Sequence, residues 1–205
     1  MSKQNISNSQ DSRRWFLKKL GATLGTSVAA TLVTATGVTS ALAYTPKNDS
    51  HLSDGKVLNK KQMQVLRELC ETVLPRTDTP GAADVDCHGF IDHQLSQCHS
   101  KQQQQSVREL INTVEGRAQT LKVSSYTKMT PQQKTDLLVK IESRDGFPET
   151  LHADFKFLKG LILFGYFTSE IGATQVLNYQ AVPGGYKGSV PVTAETKVYG
   201  SLNYY

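Results

Sequence analysis

Apolar residues in this chain recur at intervals of three and four, and no segment alternates convincingly at two. That periodicity predicts helices and argues against a sheet. The first periodic segment, VLNKKQMQVLRELCETVLP, has Asn59 as its expected N-cap and Gln62 three residues on. Leu58 and Met63 are placed to form a hydrophobic staple. Met63, Leu66, Cys70 and Val73 give it one apolar face, and Pro75 stops it. A turn-rich connection, RTDTPGAADVD, follows. A second helix is predicted over Val85 to Cys98 with Phe90, Ile91 and Leu95 inward. A third runs from Lys101 to Leu121 with Val107, Leu110, Ile111 and Val114 on one side. The fourth has the plainest start: Thr130 as N-cap, Pro131 in the first helical position, and Gln133 completing a capping box. Its stripe is Leu137, Leu138 and Ile141.

The fifth segment, LHADFKFLKGLILFGYFTSEIGA, differs in kind. From Leu161 to Phe167 it is uncharged and apolar all round, apart from Gly165 and the Tyr166 hydroxyl. A helix of this sort is central to its domain or covered by something else. Its seven residues are too few to span a bilayer. After Val176 the chain turns to Pro183, Gly184, Gly185, Gly188 and Pro191 among tyrosines, an irregular arm. The expected fold is all-α, a compact helical bundle of about five helices with an irregular Pro/Gly/Tyr-rich C-terminal arm.

The front of the chain reads as an address. Ser12, Arg13, Arg14, Phe16, Leu17 and Lys18 look like the S-R-R-x-F-L-K pattern of the twin-arginine (Tat) export pathway. The uncharged run from Leu20 to Ala43 is too diluted by Thr, Ser and Gly for a permanent membrane span. It ends in Ala41-Leu42-Ala43, a small-x-small pattern that a signal peptidase admits. The organisation expected is a signal peptide over 1–43, a flexible linker over 44–56, a helical domain over 57–188 and a tail over 189–205. The leader also accounts for the basic composition. Residues 1–43 hold five of the 23 Lys+Arg and one of the 18 Asp+Glu, so 18 basic and 17 acidic residues remain, a net +1. Without excess positive charge the mature chain loses the electrostatic footprint of nucleic-acid binding.

One stretch tempts a metal assignment: CHGFIDHQLSQCH, with Cys87, His88, Asp92, His93, Cys98 and His99 within thirteen positions. Zinc takes Cys and His from one side of a helix at spacings of three or four. Here His88 to His93 and His93 to Cys98 are each five apart, a rotation of about 140° on a helix. There is no C-x-x-C, H-E-x-x-H or C-x-x-C-H, and the stretch reads as a helix surface with exposed histidines. Asp84 with Asp86, and Glu68 with Glu71, read as ordinary helix-end and exposed-face charges. The chain has no G-x-S-x-G elbow, and no catalytic residue of its own is expected. Of the three cysteines, Cys70 lies on the apolar stripe of the first helix. Cys87 and Cys98 are the candidates for a disulfide, within the chain or to a partner.

LCETVLPRTDTPGAADVDCHGFID resembles the opening of the gluconate 2-dehydrogenase subunit 3 family, with its P-x-T-x-T-P-G-A turn at Pro75 to Ala82. FGYFTSEIGATQVLNYQAVPGGYKG is similar to that family's G-Y-[YF]-[ST]-S-E-I-G and P-G-x-Y-x-G elements. Gly165, Tyr166, Ser169, Glu170, Ile171 and Gly172 match the first, and Pro183, Gly184, Tyr186 and Gly188 the second. The similarity covers residues 57 to 188. It implies a small accessory subunit of a periplasmic, membrane-associated sugar or polyol dehydrogenase acting on CH–OH donors. In such a complex a large flavoprotein of the glucose–methanol–choline (GMC) oxidoreductase type binds FAD, and a multihaem cytochrome c subunit, with haem c, carries the electrons onward. The small subunit holds no cofactor, and its leader engages the Tat translocase and brings the folded flavoprotein along. Tyr166, Phe167, Tyr179, Pro183 and Tyr186 are candidates for the partner interface or for the subunit's own packing. The reading from another class is an independent periplasmic metal-binding protein or enzyme built on the Cys87–His99 cluster.

Overall fold

A computed structural model describes residues 44–179, 189 and 191–198, so the leader positions from Ser12 to Ala43 lie outside the described residues, as do Pro183 and Tyr186. The folded unit begins at Thr45. Its elements are α1 (Lys60–Val73), α2 (Cys87–Cys98), α3 (Lys101–Thr120), α4 (Pro131–Ser143) and α5 (Glu149–Phe167), and the described residues contain no strand. Short 3-10 turns at Ser50–Leu52 and Tyr126–Lys128 and a π turn at Gly172–Val176 complete it. Among the described residues no helix is long and apolar enough to cross a membrane.

Local chemistry sets the helix starts. Asn59 accepts from the Gln62 amide while the Gln62 side chain accepts from the Asn59 amide, and Thr130 and Gln133 close the same reciprocal pair at α4. Ser100 and Gln103 form a third such box at α3. The second helix starts two residues later than its periodicity predicts. Asp86 stands before it at φ 56°, in the left-handed region that Asp tolerates, and its carboxylate accepts from the Gly89 amide as N-cap.

α5 packs against α1, α2, α3 and α4, so the most apolar helix is the central one. Phe155, Leu158 and Ile162 of α5 meet Leu66 and Leu69 of α1, Ile91 and Leu95 of α2, and Leu110 and Val114 of α3 in one core. α1 buries Val65 and Leu69 as well as Met63, Leu66 and Cys70, a wider face than its sequence stripe, because it too touches every other α-helix. Glu68 is no plain exposed charge: it pairs with the buried Lys134 ammonium at 2.7 Å beneath the Tyr126 ring. Beyond the π turn the described arm is irregular and folds back, the Asn178 amide donating to the Val198 carbonyl at 2.9 Å.

Candidate functional site

Segment 45–58, expected as a loose linker over most of its length, is instead a strap tied across α2. Asp86 Oδ2 accepts from the Lys47 amide at 2.7 Å and from the Ser50 hydroxyl at 2.9 Å. One turn and a half along the helix, the buried Asp92 carboxylate accepts from the Lys56 amide, from Val57 at 3.0 Å and from Leu58 at 2.9 Å. The Val57 carbonyl in turn receives two N–H bonds from Arg108 of α3, at 3.0 and 2.6 Å. Val57 and Leu58 are buried. The strap lies so close that a Cβ on Gly55 would stand 2.6 Å from the Asp92 carboxyl atoms. Carboxylates tied to several backbone N–H groups are among the stronger neutral-to-charged contacts available to a fold.

The same two aspartates correct the reading of CHGFIDHQLSQCH as an exposed surface. His88 is 2% exposed, with its Nε2 3.2 Å from Asp86 Oδ1 and its ring edge-on to His51 at 5.5 Å between centroids. Neither ring nitrogen of His88 makes a well-aligned hydrogen bond among the described residues. Burial lowers the His88 pKa to about 4 against the pull of Asp86, with His51 and Arg67 adding to the lowering. The imidazole is therefore neutral at ordinary pH.

Cys87 faces inward, its Sγ 3.9 Å from the Ile162 carbonyl, and burial pushes its thiol up to about 12. Burial raises the Cys70 thiol well above its ordinary range. Both are weak nucleophiles in that state. Cys98 is exposed, and all three thiols are free. A Cys87–Cys98 bridge is corrected by simple geometry, since the two residues end the same twelve-residue helix and stand about 16 Å apart along it. A bond from Cys87 to a partner is corrected by its burial. His93 meets Lys56 Nζ at 2.9 Å and His99 stacks edge-on against Phe157 at 5.2 Å. The metal-tempting residues thus scatter to different neighbours, and among the described residues no three His, Cys, Asp or Glu side chains converge on one point.

The two sequence elements quoted for the family meet each other. Tyr166 Oη donates to the Pro80 carbonyl at 2.7 Å, joining the end of α5 to the turn at Pro75–Ala82 across 86 residues. That turn is closed further by the Arg76–Asp84 pair at 2.6 Å and by the Gly81 amide on Asp84 at 2.8 Å. The hydrogen bond and charge of Arg76 hold the Asp84 carboxyl below the usual range. Past Tyr166 the Ser169 hydroxyl donates to the Tyr166 carbonyl at 2.6 Å and accepts from the Gly172 amide at 3.1 Å. A Cβ on Gly172 would stand 2.0 Å from that carbonyl, so the position takes only glycine through close approach. Tyr166, 4% exposed, is thereby removed from the candidate interface.

Toward the end of α5 and just beyond it, the rings that face outward are others. Phe164 is 38% exposed and leans on Phe90 with ring centroids 5.9 Å apart, while Leu161 one turn back is half-buried. Phe167 is half-buried against Tyr166, and Tyr179 is 63% exposed. In an all-apolar run nothing local marks Phe164 rather than Tyr166 as the ring that faces out. The family model described as gluconate 2-dehydrogenase subunit 3 matches residues 60–184, more than half of the 205-residue chain. No curated protein and no solved structure matches it.

Proposed function

Since the chain belongs to the gluconate 2-dehydrogenase subunit 3 family, we propose that it is the small, non-catalytic subunit of a sugar- or polyol-oxidising dehydrogenase complex. It binds a GMC-type flavoprotein that carries FAD, escorts that partner through the Tat pathway, and stays with it in the periplasm. There a multihaem cytochrome c subunit takes the electrons onward and holds the assembly to the inner membrane. The family match over residues 60–184 carries this reading. Hydride chemistry is the flavin's, and this chain's part is adhesion and transport.

The outward aromatic strip supports the binding half of the proposal. Phe164 and Leu161 of the central helix, with Phe90 of α2 beside Phe164, form an apolar patch, and aromatic side chains are enriched in the cores of interfaces. Tyr179 adds a second exposed ring with a polar tip. The leader motif from Ser12 to Lys18 supports the transport half.

The test is a gentle pull-down of the native subunit from periplasmic extract, with dehydrogenase activity assayed by fraction. A yellow oxidoreductase is expected to accompany the subunit. Changing Arg13 and Arg14 to Lys is expected to strand the activity in the cytoplasm. Full periplasmic activity in that strain, or a pull-down without flavoprotein, overturns the proposal.

A further inference from the structure

α5 carries two apolar seams. The inner one, Leu151, Phe155, Leu158, Ile162 and Tyr166, is buried in the core. The outer one is Ala153, Phe157, Gly160, Phe164 and Phe167, at intervals of four, three, four and three. That spacing is what one helix presents to another lying along it. Ala153, Gly160 and Phe164 are exposed, and Phe157 and Phe167 are half-buried. The outer seam is uncharged from Ala153 to Phe167, about 21 Å of helix.

Gly160 tells how near an occupant comes. Two other glycines of this region are accounted for within the chain. A Cβ on Gly165 would stand 2.7 Å from the Phe90 ring, and one on Gly172 2.0 Å from the Tyr166 carbonyl. A Cβ on Gly160 would meet nothing within 4 Å among the described residues. The subunit's own packing thus gives no reason for a residue that weakens a helix interior relative to alanine. Gly116 of α3 is equally open, but Asn112, Thr113 and Thr120 around it are polar, and no apolar seam runs through it. At Gly160 the bare backbone lies between Phe157 and Phe164, three residues before it and four after, a notch with aromatic walls. The side chains at a helix crossing set how closely the two axes approach, and here there is none.

We propose that the outer seam of α5 receives an apolar α-helix of the flavoprotein, laid along α5 and closest to it at Gly160. This rests on the reading of the chain as the small subunit of a dehydrogenase complex. It extends the patch of Phe164, Leu161 and Phe90 toward the start of α5 and gives the partner's element its type and register. A large aliphatic side chain of that helix fills the notch, as a knob fills a hole.

The experiment compares Gly160→Leu with Gly116→Leu in the full-length subunit, by melting temperature and by titration onto the purified flavoprotein. Both variants are expected to raise the melting temperature by about 2–4 °C, because leucine favours a helix interior over glycine and both positions are open. Gly160→Leu is expected to weaken association about tenfold or more by filling the notch, and Gly116→Leu to leave it unchanged. Gly160→Ala, with its single Cβ, is expected to fall between wild type and Gly160→Leu. Equally tight association of both leucine variants overturns the inference and leaves the small-subunit reading intact. A lower melting temperature for Gly160→Leu also overturns it, since the seam is then covered by this chain itself. A wild-type subunit that self-associates, and that Gly160→Leu turns into a monomer, gives the seam to a second copy and overturns it likewise. Wild type that does not bind the flavoprotein overturns the small-subunit reading and the inference with it.

Discussion

Replacing Asp92 by Asn tests whether the strap belongs to the fold or merely rests on it. Three backbone amides, those of Lys56, Val57 and Leu58, converge on this one carboxylate. Hydrogen bonds to a charged acceptor contribute about 1.5–3 kcal/mol each, against about 1 for a neutral one. The Asn side chain keeps one oxygen but turns an NH2 group toward the remaining donors. Val57 and Leu58 share one carboxylate oxygen, which the amide oxygen can replace, so the NH2 group faces the Lys56 amide, which loses its acceptor at a cost of about 1–3 kcal/mol. With the charge lost from the others, the sum comes to about 3 kcal/mol. In a domain of this length that corresponds to a fall of about 6–12 °C in melting temperature. Urea unfolding and thermal melts measure the loss, and hydrogen exchange at Lys56, Val57 and Leu58 localises it. Gly55→Ala moves in the same direction, since its new Cβ would stand 2.6 Å from the Asp92 carboxyl. Asp136→Asn is the control: exposed Asp136 accepts from the exposed Gln132 side chain in its own helix, and its change should alter stability by less than about 0.5 kcal/mol. If Asp92→Asn falls within that same margin, or leaves the Lys56 amide as protected as before, the strap is not held as described.

Two further outcomes concern the buried polar groups beside Asp86. The folded His88 takes its proton only near pH 4, chiefly because it is buried, whereas the unfolded chain takes it near 6.5. The unfolded state thus binds more protons between those values, so this contribution is complete above about pH 6.5 and lost as pH falls toward 4, by about 3 kcal/mol at most. Urea midpoints at pH 7, 5.5 and 4.5 should show the decline, and a His88→Asn variant should show a shallower one; equal slopes would remove His88 from the explanation. Thiol labelling with a maleimide at pH 7 should modify Cys98 rapidly, and Cys70 and Cys87 only after unfolding, because burial raises both buried thiols. Rapid native labelling of more than one thiol contradicts that arrangement.

Much of the fold was legible because helix starts are local events. Asn59 with Gln62 and Thr130 with Pro131 and Gln133 announce α1 and α4 within four residues, and the structure closes both boxes. The charge-free run of α5 left two places open, central to the domain or covered by something else, and its contact with all four other helices supports the first. The start of α2 was less legible, since its cap Asp86 adopts φ 56° and is held from outside by the Lys47 amide 39 residues earlier. The strap is a long-range arrangement of the same sort: nothing in HLSDGKVLN says that its amides will meet a carboxylate 34 to 36 residues away. A trace existed nonetheless. His88, Asp92 and Leu95 recur at four and three, so they share the stripe that Leu95 buries. Counting the intervals between metal-binding types led instead through His93, which sits on another side of the helix. Polar residues in register with a buried leucine signal a satisfied interior network, and here the network is the strap.

The aromatic residues near the end of α5 divide between fold and partner in a way that two substitutions can separate. Tyr166→Phe keeps the ring and removes the hydroxyl that donates to the Pro80 carbonyl at 2.7 Å. It leaves that acceptor without its partner, which should cost the isolated subunit about 1 kcal/mol, or about 2–4 °C, while leaving association with the flavoprotein unchanged. Phe164→Ser does the opposite. The side chain is 38% exposed and its ring lies tilted against Phe90, so its loss should lower stability by less than about 1 kcal/mol. Where an aromatic anchor is desolvated at an interface, truncation costs about 2 kcal/mol or more, which is about thirtyfold in affinity. Melting temperatures of the purified subunit and titration of the flavoprotein onto each variant provide both readouts. If Tyr166→Phe weakens association and Phe164→Ser does not, the Tyr166 hydroxyl serves the partner rather than the turn at Pro80. If Phe164→Ser melts the subunit, the ring belongs to its core, and the docking face must be sought elsewhere on the helix.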